Sequence, residues 1–300
     1  MPGLGARVDG RLTRLGVTRS RVVRRLVKLG NPRLREWDVR IQRHPALRRA
    51  LAPAGRWLNA GGIQIPSGLA HGLWLAKDDL PLSHSQLGSL AFGTLETSVQ
   101  EALLRHLGEG DVFYDIGANL GFFSILGARM VGPTGRVYSF EPAPRAAAAV
   151  RRNAELNGFG HIEVLEMGIS DRSAIGRLQL AQDQSWSKLT DYGPHPLVEQ
   201  VIDVDLRPVD ELVESGRVAP PNVVKIDAEG AEIEALRGME RTVREHQPTL
   251  ICELHLTTPP FLELMRAWGY RAVNLEGPAP VEQAGDNPHA LALPPLHPGD

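Results

Sequence analysis

Apolar residues change their spacing along this chain, and from residue 112 onward short β-prone runs alternate with stretches of helical spacing. Val112-Phe113-Tyr114 is an apolar run that ends at Asp115. A turn, Gly117-Ala118-Asn119-Leu120-Gly121, leads into an apolar segment suited to a helix, Phe122 to Met130. Gly132, Pro133 and Gly135 break it, and a second β-type run, Arg136 to Phe140, ends on Glu141. Strand, glycine loop, helix and strand with a terminal acid make one βαβ unit.

The alternation then continues. Pro142 and Pro144 introduce a helix over Arg145 to Asn157, which Gly158 ends. Ile162 to Glu166 is the third strand, followed by the turn Met167 to Asp171. Ser173 to Leu180 and Gln200 to Val204 alternate as strands, and Pro208 to Leu212 begins a short helix. Asn222 to Ile226 is a fourth parallel-type strand ending at Asp227, with a helix over Ala231 to Arg237. Pro248 to Leu254 is a fifth strand, Phe261 to Trp268 a helix and Tyr270 to Leu275 a sixth strand. Upstream, Val99, Leu103, Leu104 and Leu107 share one face of a helix over Thr97 to Leu107. Ile63-Gln64-Ile65 and Leu73-Trp74-Leu75 read as short strands.

The βαβ unit carries candidate chemistry. Gly117 and Gly121 let the backbone turn sharply, and the following helix directs unpaired N–H groups toward an anion. Glu141, at the tip of the next strand, suits the two hydroxyls of a ribose. The anion can be a pyrophosphate or an amino-acid carboxylate. A dinucleotide fingerprint requires G-x-G-x-x-G, but Asn119 replaces the second glycine and bulky Phe122-Phe123 follow Gly121. Asp115 is a poor neighbour for phosphate and a good one for an α-ammonium group. S-adenosylmethionine, adenosine at one end and amino acid at the other, meets these conditions.

The string D-x-G-x-N-x-G followed by S-F-E-P resembles motif I and the post-I acid of class I methyltransferases. Val223-Val224-Lys225-Ile226-Asp227-Ala228-Glu229-Gly230-Ala231-Glu232 resembles the K-I-D-x-E-G-x-E signature of FkbM-type methyltransferases. The resemblance implies a Rossmann-like, seven-stranded α/β sheet, mostly parallel, with His289 to Leu293 as an antiparallel last strand. It implies S-adenosylmethionine held by Asp115, Gly117, Asn119, Gly121 and Glu141, with Gly168 and Ile169 flanking the adenine and Glu96 nearby. A catalytic group of Lys225, Asp227, Glu229 and His255 follows, moving a methyl group to an oxygen. His255 or Asp227 takes the hydroxyl proton, or a divalent ion such as magnesium on Asp227 and Glu229 lowers its pKa. Structural roles account for several of these residues too: Glu96 as a helix-start acid, Asp227 as a cap, and Glu232 as a first-turn acid. The implied acceptors are sugars, glycolipids or secondary-metabolite hydroxyls, met by the loop Asp183 to Pro196. The competing classes are a nicotinamide-dependent oxidoreductase and a non-catalytic binding protein that keeps the fold.

Charge divides the chain. Residues 1–56 hold 15 Arg and Lys against Asp9, Glu36 and Asp38, a net of +12, so the −2 total leaves −14 for the remainder. Val22, Val23, Leu26, Val27 and Leu29 recur at roughly helical spacing. The reading is a basic, partly helical extension over residues 1–60. It either packs against the acidic domain or meets a membrane surface or acidic partner; charge alone names no specific nucleic acid. Residues 61–300 then form the methyltransferase domain, with a front element over 61–92 and a Pro-rich tail. No stretch reads as membrane-spanning or as a secretory signal, and the lone Cys252 excludes an internal disulfide, so a cytoplasmic, reducing setting is expected.

Overall fold

A computed structural model describes residues 62–76, 89, 93–181, 188–190 and 198–295. The basic extension, most of the 183–196 loop and the end of the tail lie outside the described residues. These residues fall into two compact units, one of 62–76, 89 and 93–95 and one beginning at Glu96. The first holds a two-stranded antiparallel ribbon, β1 (Ile63–Gln64) against β2 (Trp74–Leu75). The front element thus groups apart from the unit that carries the site.

The second unit opens with α1 (Thr97–His106) and continues through β3 (Val112–Ile116), α2 (Phe122–Val131), β4 (Arg136–Phe140), α3 (Pro144–Asn157) and β5 (Ile162–Leu165). Next come β6 (Gly168–Ile169), β7 (Ala174–Ala181), β8 (Lys188–Leu189), β9 (Val198–Arg207), α4 (Val209–Glu214) and β10 (Val223–Ile226). The chain closes with α5 (Glu232–Arg237), α6 (Glu240–His246), β11 (Thr249–Glu253), α7 (Thr258–Trp268), β12 (Arg271–Asn274) and β13 (His289–Leu293). Seven strands form one sheet in the order β12-β13-β11-β10-β3-β4-β5. The neighbours from β11 to β5 pair in parallel, whereas β13 runs antiparallel to both β11 and β12. This is the Rossmann-like methyltransferase sheet expected from the sequence.

Its centre follows from strand composition. All four residues of β10 are buried, and Tyr114, Ile116, Phe140, Ile226, Leu250 and Cys252 share one apolar core. Strands covered on both faces read as near-continuous apolar runs, and β3, β4 and β10 do apart from exposed Arg136 and buried Asp115, Ser139 and Lys225. Helix α2 is apolar nearly all round because it is buried along most of its length. Cys252 is a free buried thiol, and burial pushes its pKa up.

Two features differ from the sequence reading. The segment read as a turn after β5 contains β6, which pairs in parallel with β9. Together with β7 and β8 it forms a separate four-stranded sheet, order β6-β9-β7-β8. That sheet has a small apolar cluster of its own, Ala143, Ala146, Leu178, Val204 and Leu206. Helix α6 also went unforeseen. Asp210, far away in sequence, accepts hydrogen bonds from the Arg241 and Thr242 amides at 3.0 and 2.8 Å, which satisfies its otherwise orphaned first turn.

Candidate active site

The carboxyl ends of β3, β4 and β10 converge on a cleft enclosing about 690 Å³ of space not filled by protein, part of it open to solvent. Its walls include Gly117, Asn119, Glu141, Gly168, Ile169, Asp227 and Glu229. Parallel strands bring those ends together because every crossover returns to the same edge.

The glycine loop closes on itself. The Gly117 and Ala118 amides both donate to the Phe140 carbonyl, at 3.0 and 3.1 Å. The Asn119 amide donates to Glu141 Oε2 at 2.7 Å, and the Ala143 amide donates to Oε1 at 2.8 Å. Glu141 is buried to 7% exposure and fixed from two sides, with the remaining lone pairs on its oxygens left to accept. Burial pushes its pKa up to about 7 despite those two bonds. Asn119 takes a left-handed φ of 49°, and its Oδ1 is buried in the cleft wall without a hydrogen-bond partner. Such an orphan acceptor is a ready place for a ligand donor.

Gly117 lines the cleft, and both loop glycines also meet close neighbours within the protein. A Cβ on Gly117, at φ 75°, would lie 1.8 Å from the Asp227 carbonyl oxygen. A Cβ on Gly121 would lie 2.8 Å from Val150 Cγ1 on α3. Gly117 therefore seats the loop on the end of β10, and Gly121 packs α2 against α3.

Beneath the loop runs a buried polar chain. Ser139 Oγ donates to Ser124 Oγ at 2.8 Å, and Ser124 Oγ donates to Asp115 Oδ2 at 2.6 Å. Asp115 Oδ1 has no hydrogen-bond partner and lies 3.8 Å from Lys225 Nζ. Burial raises the Asp115 carboxyl, and Lys225 offsets only part of that. Lys225 also donates to Asp227 Oδ2 at 3.2 Å and sits 5.0 Å from the centre of the Phe123 ring. Burial works against its charge, yet Asp227 and Asp115 outweigh that and push its pKa above the ordinary lysine value. Lys225 is thus a buried cation balancing two acids beneath the cleft, not a base within it.

Three further acids and a histidine meet at the end of β10 and β11. Glu232 is fully buried; its Oε1 lies 2.9 Å from His255 Nδ1 and accepts from the Gly230 amide at 2.8 Å. Its Oε2 accepts from Thr257 Oγ1 at 3.0 Å. This acid, read from sequence as a first-turn residue, orients the His255 ring. His255 Nε2 then lies 3.7 Å from Glu229 and 3.6 Å from Glu253. Burial works to lower the His255 pKa, but Glu232, Asp227 and Glu229 outweigh it and push it up to about 9. Burial would raise Asp227 as well, but Lys225 and then His255 hold it below the usual carboxylate range. Glu229 goes the other way: burial and then Asp227 push it up to about 7. It sits at φ 49°, a left-handed backbone that a non-glycine residue keeps only when its surroundings impose it. At neutral pH His255 therefore carries a proton and Glu229 is the group poised to accept one.

Asp227, Glu229 and His255 can each aim one ligand atom into a shared space, as can Glu96, Glu253 and His289. Glu96, expected beside the cofactor, is not in the cleft wall. It faces His289, with its Oε2 3.4 Å from Nε2. His289 and Glu253 were not expected as site residues; their register pairing across β11 and β13 is what joins them.

A pH dependence follows from His255. Its folded pKa near 9 exceeds the ordinary 6.5, so its contribution to stability is complete below about 6.5 and lost as pH rises through about 9. The thermal midpoint of the protein falls across that window. In His255→Gln the midpoint is lower and the fall is shallower; an equally steep fall in the variant would place its origin elsewhere.

The family described as Methyltransferase FkbM domain matches residues 115–272, more than half of the 300-residue chain. The chain belongs to the FkbM methyltransferase family. It is 31% identical over 166 residues to the hexuronic acid methyltransferase AglP of Haloferax volcanii, covering 55% of this chain and 64% of that one. It is 26% identical over 234 residues to the 31-O-demethyl-FK506 methyltransferase FkbM of Streptomyces tacrolimicus, covering 66% of this chain and 88% of that one. Among solved structures, the FkbM methyltransferase of Methylobacillus flagellatus aligns at 19% identity and TM-score 0.41, over 85% of this chain and 60% of that one. Both motifs of this FkbM-family chain lie at the cleft: residues of the glycine loop and Asp227 with Glu229 are among its walls. No helix among its described residues is long and apolar enough to cross a membrane.

Proposed function

We propose that this protein transfers a methyl group from S-adenosylmethionine to a hydroxyl oxygen of a sugar or secondary metabolite, with Glu229 accepting the hydroxyl proton. The observation that carries this reading is one cleft with Glu141 fixed on one side and Glu229, near pKa 7, on the other. When bound, S-adenosylmethionine supplies an electrophilic methyl group on a sulfonium.

The chain's residues fit that molecule. Glu141 has lone pairs free for ribose hydroxyls, and Ile169, Phe140 and Leu206 offer an apolar seat for a flat base. The orphan Asn119 Oδ1 is an acceptor for an N–H donor. Pyrophosphate recognition is disfavoured, because the Gly117, Ala118 and Asn119 amides already have partners within the protein. That argues against the nicotinamide alternative.

Alignment of donor and acceptor supplies most of the acceleration, and a base near pKa 7 removes the proton as the new bond forms. Glu229 meets that requirement at neutral pH, whereas Asp227 is too weak a base and His255 is already protonated. His255 instead lies beside Glu229 as a cation, held by Glu232. Asp227 and Glu229, the candidate magnesium ligands, each have a cation of the chain beside them, Lys225 for Asp227 and His255 for Glu229. The names of two relatives, one for hexuronic acid and one for a 31-O-demethyl compound, support a hydroxyl-bearing acceptor.

Calorimetry tests the reading. Wild-type protein binds S-adenosylmethionine, and Glu141→Gln binds it about 10- to 100-fold more weakly, the scale of one or two charged hydrogen bonds. Equal affinity in both proteins would remove the ribose assignment. Tight binding with no methyl transfer to a panel of uronic acids, sugars and polyketide alcohols would favour a binding protein.

A further inference from the structure

We infer that Glu96, Glu253 and His289 form a binding site for a divalent first-row metal ion, separate from the cleft that holds Glu141 and Glu229. The three side chains come from different elements. Glu96 precedes α1, Glu253 ends β11, and His289 begins β13 as the register partner of Glu253. They can each turn one ligand atom into a common space, all within 4.8 Å of one another.

An acid cluster alone would not carry this inference; the state of its central atom does. The His289 side chain is only 10% exposed, and its Nε2 is buried with no hydrogen-bond partner, as is Glu96 Oε2. Nε2 lies at ion-pair distance, 3.4 Å from Glu96 Oε2 and 3.6 Å from Glu253 Oε2, both longer than a usual N–H···O bond. Donors 2.0–2.2 Å from a tetrahedral ion stand about 3.3–3.6 Å apart. The two spacings from Nε2 fall in or at the edge of that range, and the third pair lies within 4.8 Å.

The other ring nitrogen completes the pattern. Nδ1 is 2.8 Å from Glu276 Oε1, so a carboxylate fixes the ring and leaves Nε2 as the outward donor. Metal-binding histidines are commonly held in this way. One imidazole and two carboxylates favour zinc or manganese over magnesium or calcium, which prefer all-oxygen sets. The negative charge fits as well, since Glu96, Glu253 and Glu276 surround a single imidazole. An ion here ties the start of α1 to the ends of β11 and β13. It also fixes Glu253, whose other oxygen lies 3.6 Å from His255 Nε2. The inference does not depend on the methyl-transfer reading.

The test uses full-length protein stripped with chelator and titrated calorimetrically with zinc, manganese and magnesium chloride, with bound metal counted by mass spectrometry. One zinc or manganese per chain is expected, with a raised thermal midpoint and much weaker magnesium binding. His289→Gln and Glu96→Gln reduce affinity more than Glu276→Gln, which itself costs about 10- to 100-fold as a supporting residue. Glu229→Gln lowers affinity far less than Glu96→Gln or His289→Gln does, since Glu229 reaches Glu253 only through His255. Undiminished binding in Glu96→Gln or His289→Gln, or loss of binding in Glu229→Gln, overturns the assignment, as does the absence of any zinc or manganese uptake. Should His289→Gln fail to fold, Glu96→Gln and Glu276→Gln decide the question.

Discussion

Glu229→Gln lowers turnover by about 10²- to 10⁴-fold, the usual contribution of a positioned base, while S-adenosylmethionine affinity changes little. Glutamine keeps the shape of the side chain and removes only its capacity to take a proton. In the wild-type enzyme turnover rises with pH through a limb near 7, because burial and Asp227 hold the Glu229 carboxyl protonated below that value. The sign is fixed by the role: a base works only when ionised, so activity is lost on the acid side. The variant has no such limb. Its residual rate reflects alignment by the cleft, which the substitution leaves in place. An unchanged acid limb in Glu229→Gln would transfer the proton to another group, with Asp227 the nearest remaining carboxylate in the cleft wall.

A methyl group on Gly117 has the largest expected effect on the folded state. In Gly117→Ala the new Cβ would meet the Asp227 carbonyl oxygen at 1.8 Å, and the obstacle is backbone. Nothing there can swing aside, so the loop or the end of β10 must move. Overpacking of this kind costs about 1–3 kcal/mol, and a left-handed φ of 75° on alanine adds about 1–2 kcal/mol. The thermal midpoint then drops by roughly 5–20 °C, at about 2–4 °C per kcal/mol for a domain of this size. S-adenosylmethionine affinity falls with it, because the loop orients Asn119 and through it Glu141. Gly121→Ala is the control. Its added Cβ meets Val150 Cγ1 at 2.8 Å and Val150 Cα at 3.2 Å, a much less severe overlap than 1.8 Å, so a smaller drop is expected. A Gly117→Ala protein as stable as wild type, measured by calorimetric unfolding, would contradict the packing described here.

Much of this architecture was readable from residue order, and the reason is local. Strands β3, β4, β10 and β11 are short apolar runs bounded by breakers, and α3 begins at a proline and ends at a glycine in φ 70°. Each carries its own signal. The elements that escaped are those whose stabilising partner is distant. Helix α6 has no side-chain cap of its own, and Asp210 reaches it from 31 positions upstream. Strand β6 is two residues long and exists because β9 lies beside it.

The site divides along the same line. Asp115, Gly117, Asn119, Glu141, Asp227 and Glu229 sit in two contiguous motifs, so their meeting at the strand ends could be read directly. Three neighbours of that set take their places from packing: Lys225 turns inward to two acids, Gly121 packs α2 against α3, and His255 lies between Glu232 and Glu229. His289 escaped because nothing near it in sequence marks it. Only the antiparallel register that sets it opposite Glu253 gives it neighbours.

The position of β13 between β11 and β12 has a consequence for biosynthesis. Both flanking strands leave the ribosome before their shared partner does. Until residues 289–293 emerge, the nascent sheet has a gap one strand wide, with a row of unmatched amides and carbonyls along β11. The parallel half that holds the glycine loop can assemble early. The seat of His289 beside Glu253 is among the last parts of the fold to be made.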